Sequence, residues 1–221
     1  DGQKNTIDLE TNTTSGLFTT RGSSLATGSV IKNLGVLNGS LSNNGGYIVR
    51  PSQSFFKVDN CYSTGDINGG GICGNHVGIN GYCTVNNCYS NGDIIGSYNG
   101  GICSYRPGKN GTCNIINCYS TGNITGANGG GICGSSAGSE SNGICNITNC
   151  YSTGNITGGS SGGICGTTNG RDGGTCNISN CYSTGTITNG GGITGVFTNT
   201  GTKITNCYSN GTISTNNGTI N

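Results

Sequence analysis

One tetrapeptide constrains this chain more than any other feature. Asn-Cys-Tyr-Ser occurs six times, with its cysteine at Cys61, Cys88, Cys118, Cys150, Cys181 and Cys207. The spacings are 27, 30, 32, 31 and 26 residues. Self-similarity at a period of this size is the mark of a solenoid, propeller or array. Each unit reads Gly-Gly-Ile-Cys-Gly, a variable polar loop, Cys-Asn-Ile-x-Asn-Cys-Tyr-Ser-Thr-Gly, then Asn-Ile-Thr-Gly, and residues 130–159 are a clean copy. The stretches between glycines are short and rich in Ile, Thr, Tyr and Val, which favour strands. A coil of ~30 residues has room for three strands and three corners. The expected fold is therefore all-β, a right-handed parallel β-helix (β-solenoid) of about seven coils of 26–32 residues. Propeller blades need longer, antiparallel strands and a longer period.

Degenerate copies precede the regular ones. Val30-Ile31-Lys32-Asn33-Leu34-Gly35-Val36 aligns with the Asn-Cys-Tyr-Ser segment, and Gly45-Gly46-Tyr47-Ile48 with Gly-Gly-Ile-Cys. Gly16-Leu17-Phe18 is an earlier fragment. Residues 1–15 are polar and read as an N-terminal cap segment, and residues 16–221 as a single β-helix domain. The degenerate copy orients the rest. Leu34 stands where the others have Cys, Val36 where they have Ser, and Gly35 where they have Tyr. Alternation along a strand then puts Cys61, Cys88, Cys118, Cys150, Cys181 and Cys207 in a buried column with Ser beside them, and points the Tyr outward. Ile72, Ile102, Ile132, Ile164 and Ile193 form a second inward column, and Ile67, Ile94, Ile124, Ile156, Ile187 and Ile213 a third. Asn33, Asn60, Asn87, Asn117, Asn149, Asn180 and Asn206 share one position across seven coils. Asn tolerates the left-handed conformation of a sharp corner, and stacked amides can bond along the rod as an Asn ladder.

Composition excludes several functions. Charged residues are 8% of the chain and net charge is +1, so no basic surface exists to hold nucleic acid. No apolar run approaches a membrane span, and no signal-like segment opens the chain. With 46 glycines an α-rich fold is excluded.

The other eight cysteines form two columns, Cys73, Cys103, Cys133, Cys165 and Cys83, Cys113, Cys145, Cys176. In the last regular coil both are lost together, to Thr194 and Thr202, while Cys207 stays. Joint loss points to partnership. The expected disulfides are Cys73–Cys83, Cys103–Cys113, Cys133–Cys145 and Cys165–Cys176, each closing the loop of its own coil for about 3 kcal/mol. Disulfides imply an oxidising location. The ~ten-residue spacing is not that of a zinc site. For the inward six, bridges between coils are within reach, but in-register side chains point the same way and free thiols are favoured.

Gly-Gly-Ile-Cys-Gly followed by Ile-Ser-Asn-Cys-Tyr-Ser-Thr-Gly-Thr-Ile resembles the GLUG-type repeat of bacterial surface proteins and adhesins, and Val30–Val36 resembles the opening coil of that family. Similar cysteine-rich repeats are familiar from large DNA viruses. The resemblance covers roughly residues 16–215, and the cysteine pairs depart from the bacterial Gly-Gly-Leu-Val-Gly pattern. It implies a right-handed parallel β-helix with a structural or adhesive role.

Little catalytic chemistry is visible. Asp66 and Asp93 share a column that continues as Asn123, Asn155, Thr186 and Thr212, which reads as a corner preferring Asx or Thr rather than a catalytic pair. His76 lies in a loop with no evident partner. Tyr62, Tyr89, Tyr119, Tyr151, Tyr182 and Tyr208 form an aromatic stripe, a candidate contact surface for protein or sugar. Glycosylation sequons fall at Asn12, Asn38, Asn110, Asn123, Asn146, Asn155, Asn177, Asn210 and Asn217. The expectation is a non-catalytic structural surface protein, not an enzyme, with no cofactor or metal. It would serve as adhesin, extracellular filament or virion-exterior component, partnered by other protein subunits and glycans. A carbohydrate-binding or carbohydrate-cleaving β-helix is the alternative.

Overall fold

The structure is a computed structural model that describes residues 5–10, 12–20, 28–197 and 199–213. Its secondary structure there is entirely β, and the strands pair in parallel. They wind into a β-solenoid of about seven turns. Two sheets run along the rod. One has eight strands and contains Leu34–Leu37 and the six Tyr-Ser pairs from Tyr62–Ser63 to Tyr208–Ser209. The other has seven, from Ser29–Lys32 through Tyr82–Asn86 and Thr112–Ile116 to Thr202–Thr205. Register is strict. Tyr62, Tyr89, Tyr119, Tyr151, Tyr182 and Tyr208 are consecutive pairing partners. The variation in coil length is absorbed in loops.

The alternation read from Leu34, Gly35 and Val36 holds. Cys61, Cys88, Cys118, Cys150 and Cys181 are buried, as are Ser63, Ser90, Ser120, Ser152 and Ser183. The Ile72 and Ile67 columns are buried too, except for Ile213 in the last coil. A further inward column, Ile31, Val58, Val85, Ile115, Ile147 and Ile178, lines the seven-stranded sheet.

Each thiol of the Asn-Cys-Tyr-Ser column turns back over its own corner. Its Sγ lies 3.1–3.3 Å from the carbonyl oxygen two residues earlier, in all six coils. The backbone N–H groups of Cys118, Cys150 and Cys181 donate to the Sγ of the next coil's cysteine at 3.4 Å. A thiol is thus both filler and weak hydrogen-bonding group. These six are free thiols, as stacking in register favours.

The four expected disulfides are not formed: all fourteen cysteines are thiols, thirteen buried and Cys207 partly so. The physical reason lies in the strand alternation. Cys83 and Val85 both point inward from one strand, and Phe56 and Thr202 occupy the same column as Cys83. Val49 and Thr194 occupy the column of Cys73. These positions therefore take a buried filler, whether aromatic, aliphatic or thiol. The two columns do face each other: Cys103 contacts Cys113, Cys133 contacts Cys145, and Cys165 contacts Cys176. Each also contacts its own column, as Cys113 does Cys83 and Cys145. The result is a continuous seam of thiols rather than isolated staples. Burial pushes the thiols of Cys73, Cys83, Cys118 and Cys133 above their ordinary range. Among the described residues no Lys, Arg or His belongs to the buried core to hold a thiolate beside these four.

Two boundary readings change. Residues 5–8, expected in a cap, pair with Leu34–Leu37 as a solenoid strand, and residues 13–14 pair with Ser40–Leu41. The first coil therefore starts inside the supposed cap. The alignment of Gly45-Gly46-Tyr47-Ile48 also moves by one residue. Gly46 pairs with Gly70 and Val49 with Cys73, so Val49, not Ile48, takes the cysteine position. Tyr47 then replaces a glycine and is buried, its hydroxyl bonded to the carbonyls of Gly39 and Asp66 at 3.1 and 2.8 Å.

The interior is thin where the Gly-Gly-Ile and Tyr-Ser segments oppose each other. A Cβ on Gly101 or Gly131 would overlap the backbone oxygen of the next coil's glycine and the facing Ser120 or Ser152. Only glycine fits opposite serine, and only a small residue fits opposite glycine. The hydroxyls of Ser120, Ser152 and Ser183 are buried without a hydrogen-bond partner among the described residues. Size, not hydrogen bonding, selects serine there.

Two expectations follow. Ser152→Ala removes an unsatisfied buried hydroxyl and should raise stability by about 1 kcal/mol, whereas Gly131→Ala should lower it by at least about 1–3 kcal/mol. Urea unfolding measures both, and the reverse order would contradict the packing. The thiol seam predicts alkaline weakness. A group whose folded pKa lies above its unfolded value stabilises fully below the unfolded value, and that stability is lost as pH rises. Unfolded thiols ionise near 9.0 while those that burial raises, such as Cys73 and Cys83, stay protonated above it. Stability in reductant should hold to about pH 8, then fall by up to about 1.4 kcal/mol per pH unit for each thiol so raised, Cys73, Cys83, Cys118 and Cys133 among them. A thermal midpoint unchanged between pH 7 and 10 would contradict this.

Candidate ligand-binding groove

A lateral groove of about 680 Å³ crosses consecutive coils on one corner of the rod. One rim follows the corner three places after the second cysteine column, which carries His76, Arg106, Ser136, Thr168 and Phe197, all but Arg106 lining the groove. The first four hold their place by donating the backbone N–H to the next coil, as His76 does to Tyr105 O at 2.8 Å and Thr168 to Phe197 O at 2.9 Å. All five have left-handed φ, between 56° and 67°. The opposite rim carries Asn44, Tyr98 and Asn128, with φ of 67°, 66° and 58°.

The floor is a fixed polar network. Asn75 donates Nδ2–H to Asn44 Oδ1 at 2.7 Å and accepts the Tyr105 N–H at 3.0 Å. Ser135 donates its hydroxyl to Asn128 O at 2.5 Å and meets Thr167 Oγ1 at 3.0 Å. An aromatic cluster closes one end. Tyr105 packs edge-on against His76 and Tyr98, both with ring centroids 5.8 Å away, and the Arg106 guanidinium lies 5.1 Å from its ring centre. Tyr98 is 49% exposed, and Phe197, across the groove's far end, is 71% exposed.

The lining is close to neutral. Burial, then the cations of Lys109 and Arg106, push the His76 imidazole below its ordinary pKa, so it is uncharged at neutral pH. Arg171 lies 3.2 Å from the Asp172 carboxylate, and Arg106 and Lys109 share Glu140 at 3.9 and 3.1 Å.

The rim residues are costly choices. A left-handed corner is cheap for Gly or Asn and strained for bulky or β-branched side chains, by about 1–3 kcal/mol. At the Asn33 corner all seven coils carry Asn, with φ of 51–57°. At the groove rim the same conformation is given to His, Arg, Ser, Thr and Phe. Strain kept where a cheaper residue would serve is a mark of function.

The residues singled out from sequence lie elsewhere, apart from His76. That histidine was expected to be free in solvent, but it is half-buried against Tyr105. The tyrosine stripe is a stack. Successive rings from Tyr62 to Tyr182 lie 4.9 Å apart and within 5° of parallel. Each inner ring has its faces covered by its neighbours, so the stripe offers edges and hydroxyls, not platforms for a sugar. The Asn ladder is a corner column first. Amide bonds join Asn60 to Asn33 and Asn149 to Asn117, at 2.7 and 3.2 Å, while Asn117 bonds Asn86 instead of Asn87. A second amide ladder, unforeseen, runs through Asn114, Asn146 and Asn177 at 2.7 and 2.9 Å. The Asp66 and Asp93 column behaves as an Asx corner. Asp93 Oδ1 accepts the Asn123 N–H at 2.7 Å, Asn123 Oδ1 that of Asn155, and Asn155 Oδ1 that of Thr186. Among the sequons, the amides of Asn12, Asn38, Asn110, Asn123, Asn146 and Asn177 already donate. Asn217 lies outside the described residues.

The groove was missed because its residues do not repeat. The signal was present as departures from the repeat: Tyr98, Tyr105 and Phe197 break an otherwise uniform pattern of Ser, Thr, Asn and Gly at the corners.

No family model and no curated protein matches the chain. It is similar to a solved structure described as a "putative immunoglobulin A1 protease" from Bacteroides ovatus. The identity is 22% and the TM-score 0.43, over 93% of this chain and 58% of that one. The chain thus spans well under two thirds of that protein. The flat expectation that the chain is not an enzyme is corrected by this finding, since that protein is named as a protease. At this identity and TM-score the likeness assigns no reaction to this chain.

The strain has a measurable sign. Phe197→Asn, at an exposed ring, is expected to raise stability by about 1 kcal/mol, and Asn117→Ala to lower it by a similar amount. Both are read from urea unfolding. A destabilised Phe197→Asn would show that the rim residues serve packing.

Proposed function

We propose that the chain is a rigid surface rod of the adhesin type, which holds an extended ligand along its lateral groove. The carrying observation is the strained rim, where Phe197, Thr168 and His76 occupy a conformation that every Asn33-type corner gives to Asn. Repeated positions build the rod, and the divergent His76, Tyr98, Thr168 and Phe197 line the groove. The resemblance to GLUG-type repeats supports a place on a cell surface, an extracellular filament or a virion exterior. An uncharged polar exterior suits such a rod, with 8% charged residues in the chain. The buried thiols withdraw one argument for an oxidising location, because the rod's stiffness comes from stacked side chains instead of disulfides. Other subunits of the same surface are the expected protein partners. In a glycosylating compartment, Asn155 and Asn210 are the exposed acceptors whose amide nitrogens bond to nothing among the described residues.

The test is retention of the immobilised full chain on a panel of extracellular-matrix and cell-wall polymers. Wild type should retain at least one polymer. The double variant Tyr98→Asn, Phe197→Asn should lose that retention by tenfold or more, and Tyr119→Phe should not change it. Retention indifferent to the double variant would sink the groove as the working surface.

A further inference from the structure

The ligand class follows from the groove's chemistry and pitch. We infer that the groove binds a neutral oligosaccharide of about three to four residues, lying along the rod with about one sugar per coil. This rests on the reading of the groove as the binding surface.

Three observations carry it. The first is the kind of contact available. Tyr98 and Phe197 keep their rings largely exposed, unlike the stacked tyrosines, whose faces cover one another. An exposed ring face is what the C–H face of a pyranose packs on. Between the two rings lie amides and hydroxyls, among them Asn128, Ser136 and Thr168. These groups both donate and accept, which suits sugar hydroxyls that do the same. Ser136 and Thr168 are already oriented by a mutual contact of 2.9 Å.

The second is charge. The three cations beside the groove, Arg106, Lys109 and Arg171, stand against the two carboxylates of Glu140 and Asp172, a net charge of one, and His76 is neutral at neutral pH. A polyanionic chain would find little unpaired positive charge, and a cationic peptide no acidic wall.

The third is spacing. The coils repeat every 4.9 Å, as the tyrosine stack records. From the Tyr105 level to the Phe197 level is three coil steps, about 15 Å. An extended glycan advances per ring by about one coil. Between the ends the sugars meet the hydroxyl rungs of Ser136 and Thr168, and an aromatic residue stands at each end. The fixed floor, with Asn75 and Ser135 already bonded within the protein, leaves little to order on binding.

The experiment is calorimetric titration of the full chain with cello-, xylo-, manno- and chito-oligosaccharides of one to six units. At least one series should bind, with affinity rising to the trimer or tetramer and then level. Tyr98→Asn and Phe197→Asn should each weaken it tenfold or more, with unchanged circular dichroism. Raising salt tenfold should change it less than twofold. Silence from all four series, a preference for oligogalacturonate, or binding unaffected by both variants would overturn the assignment. Periodate separates this failure from that of the binding rod. Groove-dependent polymer retention that survives periodate oxidation of the polymer would remove the sugar and leave the rod. Retention that ignores the groove variants would remove both.

Discussion

The whole molecule depends on identical side chains stacking in register at one coil's rise. Parallel pairing brings each position above its own copy, 4.9 Å away. Whatever occupies one level must tolerate itself at the next. Planar phenols stack, Asn amides bond to one another, and thiols fill without clashing. Charges would repel, which is why charged residues are nearly absent from the repeated columns. The same geometry makes the interior narrow. Glycine faces serine where the walls are closest, and isoleucine and cysteine fill the wider parts. Fourteen cysteines in such a chain are then small hydrophobes, and the six of the Asn-Cys-Tyr-Ser column also return a weak hydrogen bond to the corner carbonyl.

Much of this was legible before any coordinates. The period named the architecture, and Leu34, Gly35 and Val36 told inside from outside because one divergent copy reveals what the uniform copies hide. The Asn corner followed from the residue's tolerance of left-handed φ, seen in all seven coils. The cysteine pairs were misread for a physical reason. Cys73-type and Cys83-type positions vanish together at Thr194 and Thr202, and joint loss reports contact, not covalency. Val49 and Phe56 carried the missing clue, since they take the same two columns with no sulfur. The register of Tyr47 and Ile48 slipped by one because a buried tyrosine had replaced a glycine.

The groove was illegible for the opposite reason. It is built where the repeat fails, from loops whose residues share a level but no motif. His76, Tyr98 and Tyr105 are far enough apart in sequence that only coil stacking brings them together. Architecture and function are thus divided by position within the coil. Positions that repeat hold the rod, and those that vary without regard to backbone comfort hold the surface that meets a ligand.

The central claim is a seam of free, buried thiols inside a register-locked rod, and counting reactive thiols tests it most directly. The native protein, purified without reductant, would be alkylated before and after unfolding and weighed intact. The account predicts at most one modification in the native state, at the partly exposed Cys207, and fourteen after unfolding. Six modifications after unfolding, with eight cysteines refractory until reduced, would show the two facing columns joined as disulfides and would contradict it.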